Sequence, residues 1–451
     1  MPGLQPGLLL ATSHQPLKMH QTLFIIPDKI AGWPVFGFGL LLAVWAAATV
    51  AWMGWLIWRQ GFNADTKGYI PILLLIGAIV AWVLPAMPVI AKEGGLPIRG
   101  YGVMMLTAVT LASALALWRA NRVGVKPETI YSLIFWMLVP GIIGARVFYV
   151  IEYWPEYAKA LSASDGGIGP FLGGIINLTE GGLVVYGSLF GGLIGLLSFV
   201  RAHRLPLLAV CDLMAPSMML GLAIGRIGCL LNGCCFGGEC DLPWAVTFPR
   251  NAPPYIAQVE HGRMHGFTLA DDLHSEPLVM SVDPGSPADR AGLKTGDKIA
   301  AINETKITAT GLAQYAVVDA FYSEKPLHIE IEGRPAVDIP AVEPPPRSLS
   351  VHPTQVYSSI SAFLICLLLL AWSPHRRRDG ELLALLLSVY PVVRFIMEII
   401  RTDESSVFGT GLSISQNVSL LLLLCAVVLW IYILRRPSGL AFPMKEYPSE
   451  Q

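Results

Sequence analysis

Nine stretches of about twenty consecutive apolar residues recur along this 451-residue chain, each long enough to cross a hydrocarbon core of roughly 30 Å as a helix. They centre on 35–57, 70–91, 101–118, 130–150, 181–200, 207–231, 354–373, 381–400 and 412–434. Lipid offers no partner to a backbone N–H or C=O, so such stretches satisfy their own polar groups as α-helices. The expected fold is therefore an all-α polytopic membrane protein with about nine transmembrane helices. Composition agrees, with 54% hydrophobic and 14% charged residues against about 25% charged in a soluble domain. The net charge of −1 is uninformative, because topology follows where Lys and Arg fall rather than their sum. Nothing in the chain points to nucleic acid.

The basic residues set an expected orientation. Arg59 and Lys67; Arg119, Arg122 and Lys126; Arg201 and Arg204; Arg376, Arg377 and Arg378; and Arg435 and Arg436 all follow odd-numbered spans, which assigns those loops to the cytoplasm. The N-terminus, the loop 151–180 and the segment 233–350 are then outside, and the tail 437–451 is cytoplasmic. The first fifteen residues lack a basic start followed by a compact apolar core and a small-residue cleavage site, so the chain is expected to be retained whole.

One region breaks the apolar pattern. From 238 to 350 charge rises and strand-like alternation appears between turn residues, the mark of a soluble insert. Within it, "SVDPGSPADRAGLKTGDKIAAINETKI" (281–307) predicts a strand, a Pro-Gly turn, a short helix over 287–291, a turn at Gly296 and Asp297, and a second strand carrying Ile299, Ala301 and Asn303. This string resembles a PDZ domain of the bacterial protease-associated type, spanning about 276–338. The resemblance implies a small α+β domain and a peptide ligand laid as an extra strand along a sheet edge; a structural spacer is the other reading. "EPPPR" (343–347) predicts a stiff linker back to the membrane.

Ionisable residues inside spans cost about 2.5–3.5 kcal/mol each, so each one needs a partner or a function. Arg146, Arg226, Asp212, Arg394 and Glu398 are such residues, and Arg394 and Glu398, four apart, share a helix face. Arginines brought together at the outer half of a bundle suit an anionic head group, because the planar guanidinium matches two phosphate oxygens. The glycine run "GGLVVYGSLFGGLIG" (181–195) allows close approach either of helices or of a lipid tail.

Six segments, "RGYGVMM" (99–105), "GARVFYV" (144–150), the glycine run, "GRIGCLLNGCCFGG" (225–238), "HPTQVY" (352–357) and "YPVVRFIMEIIR" (390–401), together resemble the prolipoprotein diacylglyceryl transferase family. The resemblance covers a seven-helix core. It divides the chain into an N-terminal extension with two spans (1–98), a first core part (99–237), the insert (238–350), a second core part (351–436) and a tail (437–451). It implies transfer of a diacylglyceryl group from phosphatidylglycerol to the lipobox cysteine of a prolipoprotein precursor, without a cofactor; the bacterial inner membrane is the expectation from the type of the PDZ-like insert. Arg226 falls on the family's phosphate-binding arginine, Arg394 on its second essential arginine and Glu398 on that arginine's helix partner. Asn232 and Gly237 match signature positions, Tyr101 the family's early tyrosine and Arg146 a family arginine.

Departures leave the proton acceptor open. Where the family's glycine-rich stretch usually carries a histidine, this chain has Tyr186, and a tyrosine with pKa near about 10 is normally a proton donor. Glu398, Tyr186 as a relay and His352 are the candidates. The cysteines Cys229, Cys234, Cys235 and Cys240 have C-x4-C-C-x4-C spacing, which departs from the usual C-x2–4-C zinc knuckle; the adjacent pair is expected to point apart, and no metal is expected. A disulfide from Cys234 or Cys235 to Cys240 and plain packing remain the two readings. Other functions are a membrane-tethered PDZ adaptor or a catalytically altered lipid-binding relative; no HExxH or GxSxG motif occurs.

Overall fold

The computed structural model describes residues 22–62, 70, 73–74, 76–86, 90, 94–155, 157, 184–270, 272–401 and 411–443. Its helices in chain order are α1 (Leu40–Gln60), α2 (Gly100–Arg122), α3 (Pro127–Glu152), α4 (Val185–Ala202), α5 (Leu207–Asn232), α6 (Pro253–Glu260), α7 (Pro287–Ala291), α8 (Thr310–Tyr322), α9 (Thr354–Trp372), α10 (Glu381–Ile400) and α11 (Ile414–Leu434). Among the described residues, eight helices, α1–α5 and α9–α11, are long and apolar enough to cross a membrane, where the sequence predicts nine. The remaining stretch, 70–91, lies partly outside the described residues, and its described part includes a π-helical segment, Ile79–Val83. The described chain forms two compact units, one of Met104–Pro127 and Pro206 onward, the other of Thr22–Val103 and Glu128–Leu205.

In the second of these units, β1 (Thr22–Pro27) passes through a small hairpin of β2 (Lys29–Ile30) and β3 (Trp33–Pro34), and pairs antiparallel with β4 (Gly95–Arg99). Its helices α3 and α4 pack through glycine. A Cβ on Gly187 would fall on the Gly144 carbonyl, one on Gly191 on the Pro140 carbonyl and one on Gly195 on the Trp136 carbonyl. This small-xxx-small face brings two backbones into contact, which decides these three glycines in favour of helix packing; Gly181 and Gly182 lie outside the described residues. Gly191→Leu is expected to cost about 3 kcal/mol by overpacking, read as a lowered thermal midpoint in detergent micelles; an unchanged midpoint would remove the close approach.

In the other unit, α5, α9 and α10 share a core of Ala215 and Met219, Ile365, Cys366 and Leu369, and Leu382 and Leu386, with Leu115 of α2 packed against it. Asp212, fully buried near the start of α5, sets the helices in register. Its carboxylate accepts the backbone N–H of Gly380 at 2.8 Å and of Leu383 at 3.0 Å, with Arg376 Nη1 at 3.5 Å. A carboxylate at the first turn of α10 satisfies orphan donors and complements the helix dipole. The span charge at 212 is thus structural, and α5 and α10 begin at the same end of the bundle.

The chain leaves and re-enters this unit on paired arms, with bridges Glu239 to Val351, Val246 to Val351 and Pro249 to Arg347. The proline segment is pinned as well as stiff: the Pro345 carbonyl accepts Arg250 Nε at 2.8 Å and the Tyr255 hydroxyl at 3.1 Å. Between the arms, β5 (Phe267–Leu269) pairs with β6 (Val279–Val282), and β7 (Ile299–Ile302), β8 (Thr305–Lys306), β9 (Leu327–Ile331) and β10 (Arg334–Ile339) form an antiparallel sheet in the order β10-β9-β7-β8. Strands β9 and β10 and helix α8 close one apolar core with Val279, Leu293, Ile299 and Ile302. Phe267 and Leu269 belong to the same core, so the packed body starts upstream of residue 276. Ser286 caps α7 by accepting the Asp289 N–H, and Gly292 ends it at φ 89°. Arg263 ties this body to the arm, bonding Glu239 at 2.9 Å and Asp283 at 3.0 Å.

His265 is 1% exposed, set between the rings of Phe267 and Phe321, and neither ring nitrogen has a partner. Burial disfavours the charged form and lowers its pKa from 6.5 to about 4. The unfolded chain therefore binds the extra proton between those values, so stability is full above pH 6.5 and falls as the pH drops toward 4. The expected loss is about 3 kcal/mol. Hydrogen exchange of β9 in the full chain at pH 7 and pH 4.5 measures it, and His265→Phe should flatten the dependence; an equal loss in that variant would point to other groups.

Candidate active site

Helix α5 ends in a Schellman motif. Gly233 takes φ 78°, its N–H donates to the Leu230 carbonyl at 3.2 Å, and Cys234 N–H donates to the Cys229 carbonyl at 3.2 Å. The chain then turns into a knot of backbone bonds. Gly237 N–H donates to the His352 carbonyl at 3.0 Å, Gly238 N–H to the Ile400 carbonyl at 2.9 Å, and His352 N–H back to the Gly238 carbonyl at 3.0 Å. Gly237 is required there because a Cβ would stand 2.7 Å from both His352 Cβ and Thr354 Cγ2. Thr354 Oγ1 donates to the Cys235 carbonyl at 2.5 Å and Gln355 Nε2 to the Cys234 carbonyl at 2.7 Å. Three segments far apart in sequence, 225–238, 352–357 and 394–401, thereby meet at the end of the bundle opposite Asp212.

Arg226 and Arg394, the two arginines of this unit that the sequence singles out, are placed symmetrically. Arg226 and Arg394 each lie six residues before the last residue of their helices, Asn232 and Ile400, about 9 Å along the axis from ends that meet. Arg394 is held: its Nη1 lies 2.5 Å from Glu398 Oε2 and its Nη2 donates to Ser415 Oγ at 2.7 Å. Glu398 is also 3.6 Å from Arg401 Nη1 and accepts the Ser413 hydroxyl at 3.1 Å, so both its oxygens are engaged. Arg226 is half-buried and, among the described residues, makes no hydrogen bond or ion pair. Ser413 also caps α11 through a capping box with Gln416, fixing the hydroxyl that meets Glu398.

The other sequence-predicted residues divide between the units. Asn232 is half-buried as the last residue of α5, and His352 is half-buried with Nδ1 shielded from solvent and without a partner. Tyr101 near the start of α2, Arg146 in α3 and Tyr186 in the first turn of α4 belong to the other unit. Arg146 donates to the Tyr157 hydroxyl at 3.1 Å and lies 5.1 Å from the Tyr149 ring centroid. Ser413, Ser415, Arg401, Thr354 and Gln355 were missed as site residues by sequence reasoning; the polar opening of an apolar span in "HPTQVY" was the available signal for the last two.

All seven cysteines are free thiols, so of the two readings the bridge to Cys240 is not formed. The thiols that converge are Cys229, Cys234 and Cys235, with Sγ atoms all within 4.8 Å of one another. The adjacent pair does not point apart: both Sγ atoms stay within 4.8 Å of each other and of Cys229 on α5, with Cys235 at φ 58°.

The family model described as prolipoprotein diacylglyceryl transferase matches residues 88–432. A protein of Rhodopirellula baltica named phosphatidylglycerol--prolipoprotein diacylglyceryl transferase is 32% identical over 455 residues, covering 91% of this chain and 88% of its own length. Proteins of the same name from Trichormus variabilis and Synechocystis are 34% and 33% identical, covering 46% and 36% of this chain and 71% and 53% of their own lengths. Eight apolar helices and these relatives mark a bacterial membrane protein. The match runs through every segment that builds the knot around Gly237, and the chain belongs to the prolipoprotein diacylglyceryl transferase family.

Proposed function

We propose that this protein transfers the diacylglyceryl group of phosphatidylglycerol to the lipobox cysteine of prolipoproteins at the bundle end where α5 and α10 terminate. The observation that carries the reading is the meeting of those helix ends around Gly237 and Gly238, which sets Arg226, without a hydrogen bond or ion pair among the described residues, and a braced Arg394 on helices that finish together. The cysteine thiolate attacks the glycerol carbon of the lipid. A sulfur–carbon bond forms, the carbon–oxygen bond to phosphate breaks, and glycerol phosphate leaves carrying the additional negative charge. Arg226 binds the phosphate and stabilises that growing charge; Arg394 joins it, oriented by Glu398 and Ser415. Asn232 and Gly237 shape the mouth of the site; Tyr101 and Arg146, which belong to the other unit, are assigned lipid contacts on the family resemblance alone.

Glu398 is assigned a positioning role, since Arg394, Arg401 and Ser413 occupy its oxygens. His352, with an unpartnered Nδ1, is the proton acceptor favoured over Tyr186. The protein sits in the inner membrane with its N-terminus and insert outside and its tail in the cytoplasm, following the basic loops. The insert works as a PDZ-like domain that takes a peptide along a strand edge; its short capped helix α7 between β6 and β7 supports that reading.

The test uses purified protein, phosphatidylglycerol vesicles and a lipobox peptide. Expected is a peptide heavier by one diacylglyceryl group with equimolar release of glycerol phosphate, and absence of both products would overturn the reading. His352→Asn should lower the rate more than Tyr186→Phe; the reverse order would move the proton acceptor to Tyr186.

A further inference from the structure

We propose that Cys229, Cys234 and Cys235 form a three-thiolate binding site for a soft monovalent cation, Cu(I), where the chain leaves α5. The three Sγ atoms lie within 4.8 Å of one another. A metal bound at about 2.3 Å from each sulfur in a trigonal plane requires sulfurs about 4 Å apart, so the ring closes on an ion with shifts below an ångström. Cys235 reaches this convergence at φ 58°, a conformation a side-chain-bearing residue keeps only where its surroundings impose it.

Those surroundings are fixed independently of any ion. The Schellman turn sets the step from Cys229 to Cys234, and the carbonyls of Cys234 and Cys235 are held by Gln355 and Thr354, side chains that are 1% exposed. Arg226 is three residues before Cys229 on α5, and the charges of Arg226 and Arg401 both act on Cys235, offsetting the negative charge that three thiolates would gather. All three cysteines are half-buried rather than sealed, so an ion has access. Soft thiolates select Cu(I) and Zn(II); a structural zinc takes four protein ligands, and among the described residues this group offers three. That count favours Cu(I).

The proposal does not depend on the transferase reading, and its test measures binding. The full chain, reduced and anaerobic in detergent micelles, is titrated with Cu(I) against a chromophoric chelator. One equivalent should be retained, with copper bound to three sulfurs by X-ray absorption. Cys229→Ser, Cys234→Ser and Cys235→Ser should each lose that equivalent, Thr354→Val should weaken it about 10-fold as an outer-shell change, and Cys425→Ser should keep it. In the unsubstituted protein, Cu(I) should shield these three thiols from alkylation while Cys425 stays reactive, a readout independent of whether the variants fold. Unshielded thiols, an equivalent retained in Cys235→Ser, or tight binding of Zn(II) with none of Cu(I) would each overturn the proposal.

Discussion

Replacing Arg226 with alanine is expected to cut diacylglyceryl transfer by about a thousandfold while leaving the protein folded, the loss seen when one preorganised donor to a developing negative charge is removed. The asymmetry follows from its surroundings. Arg226 has no carboxylate or hydroxyl partner among the described residues, so its removal leaves no buried carboxylate uncompensated. Its contribution appears when charge grows on the leaving phosphate. Arg226→Lys should recover only part of the rate, because an ammonium keeps the charge and loses the planar fork that spans two phosphate oxygens. Initial rates at saturating lipid, paired with thermal midpoints, check both parts. A rate within tenfold of the unsubstituted protein would remove Arg226 from the phosphate site.

Glu398→Ala should act in the opposite way, costing about 3–5 kcal/mol of stability, as breaking a buried ion pair does by leaving its partner uncompensated. Glu398 lies 2.5 Å from Arg394 and 3.6 Å from Arg401, and its side chain is 3% exposed. The transfer rate should fall with it, because Arg394 loses the group that aims it. The conservative Glu398→Gln separates two roles. If Glu398 positions Arg394, the amide lowers both midpoint and rate and leaves the pH profile of the residual rate unchanged. If Glu398 were the proton acceptor, the amide would stop transfer and alter that profile.

The membrane character, the seven long apolar helices of the core and the change to short strands and helices after residue 238 were legible in the sequence, because each depends on local composition: about twenty apolar residues leave a backbone in lipid no alternative to a helix. The short helix at 287–291 was equally legible, since Ser286 and Gly292 are local cap signals at its two ends. The reach of the insert's core was not. Phe267 and Leu269 join it through pairing with β6, a contact that spacing does not announce.

For the site, the residue types were readable and their states were not. An arginine and a glutamate four apart share a helix face in any sequence, but Ser413, Ser415 and Arg401 close around them only after α10 and α11 pack. Asp212, a span charge that needed either a partner or a function, is a cap for a helix that begins 169 positions later at Glu381. The cysteines looked divergent because alternation assumes ordinary backbone, and Cys235 departs from it.

What the sequence determined by itself is which segments form helices long and apolar enough to cross a membrane, where that apolar pattern breaks off, and which charged side chains a bilayer would tolerate only with a partner or a function, since these follow from transfer energies summed over neighbouring residues. What only the tertiary structure decided is which charges are spent on one another and which stay available. Glu398 is locked, Asp212 caps α10, and Arg226 makes no ion pair or hydrogen bond among the described residues, because ion pairing and hydrogen bonding depend on a few ångströms across helices that are remote in the chain.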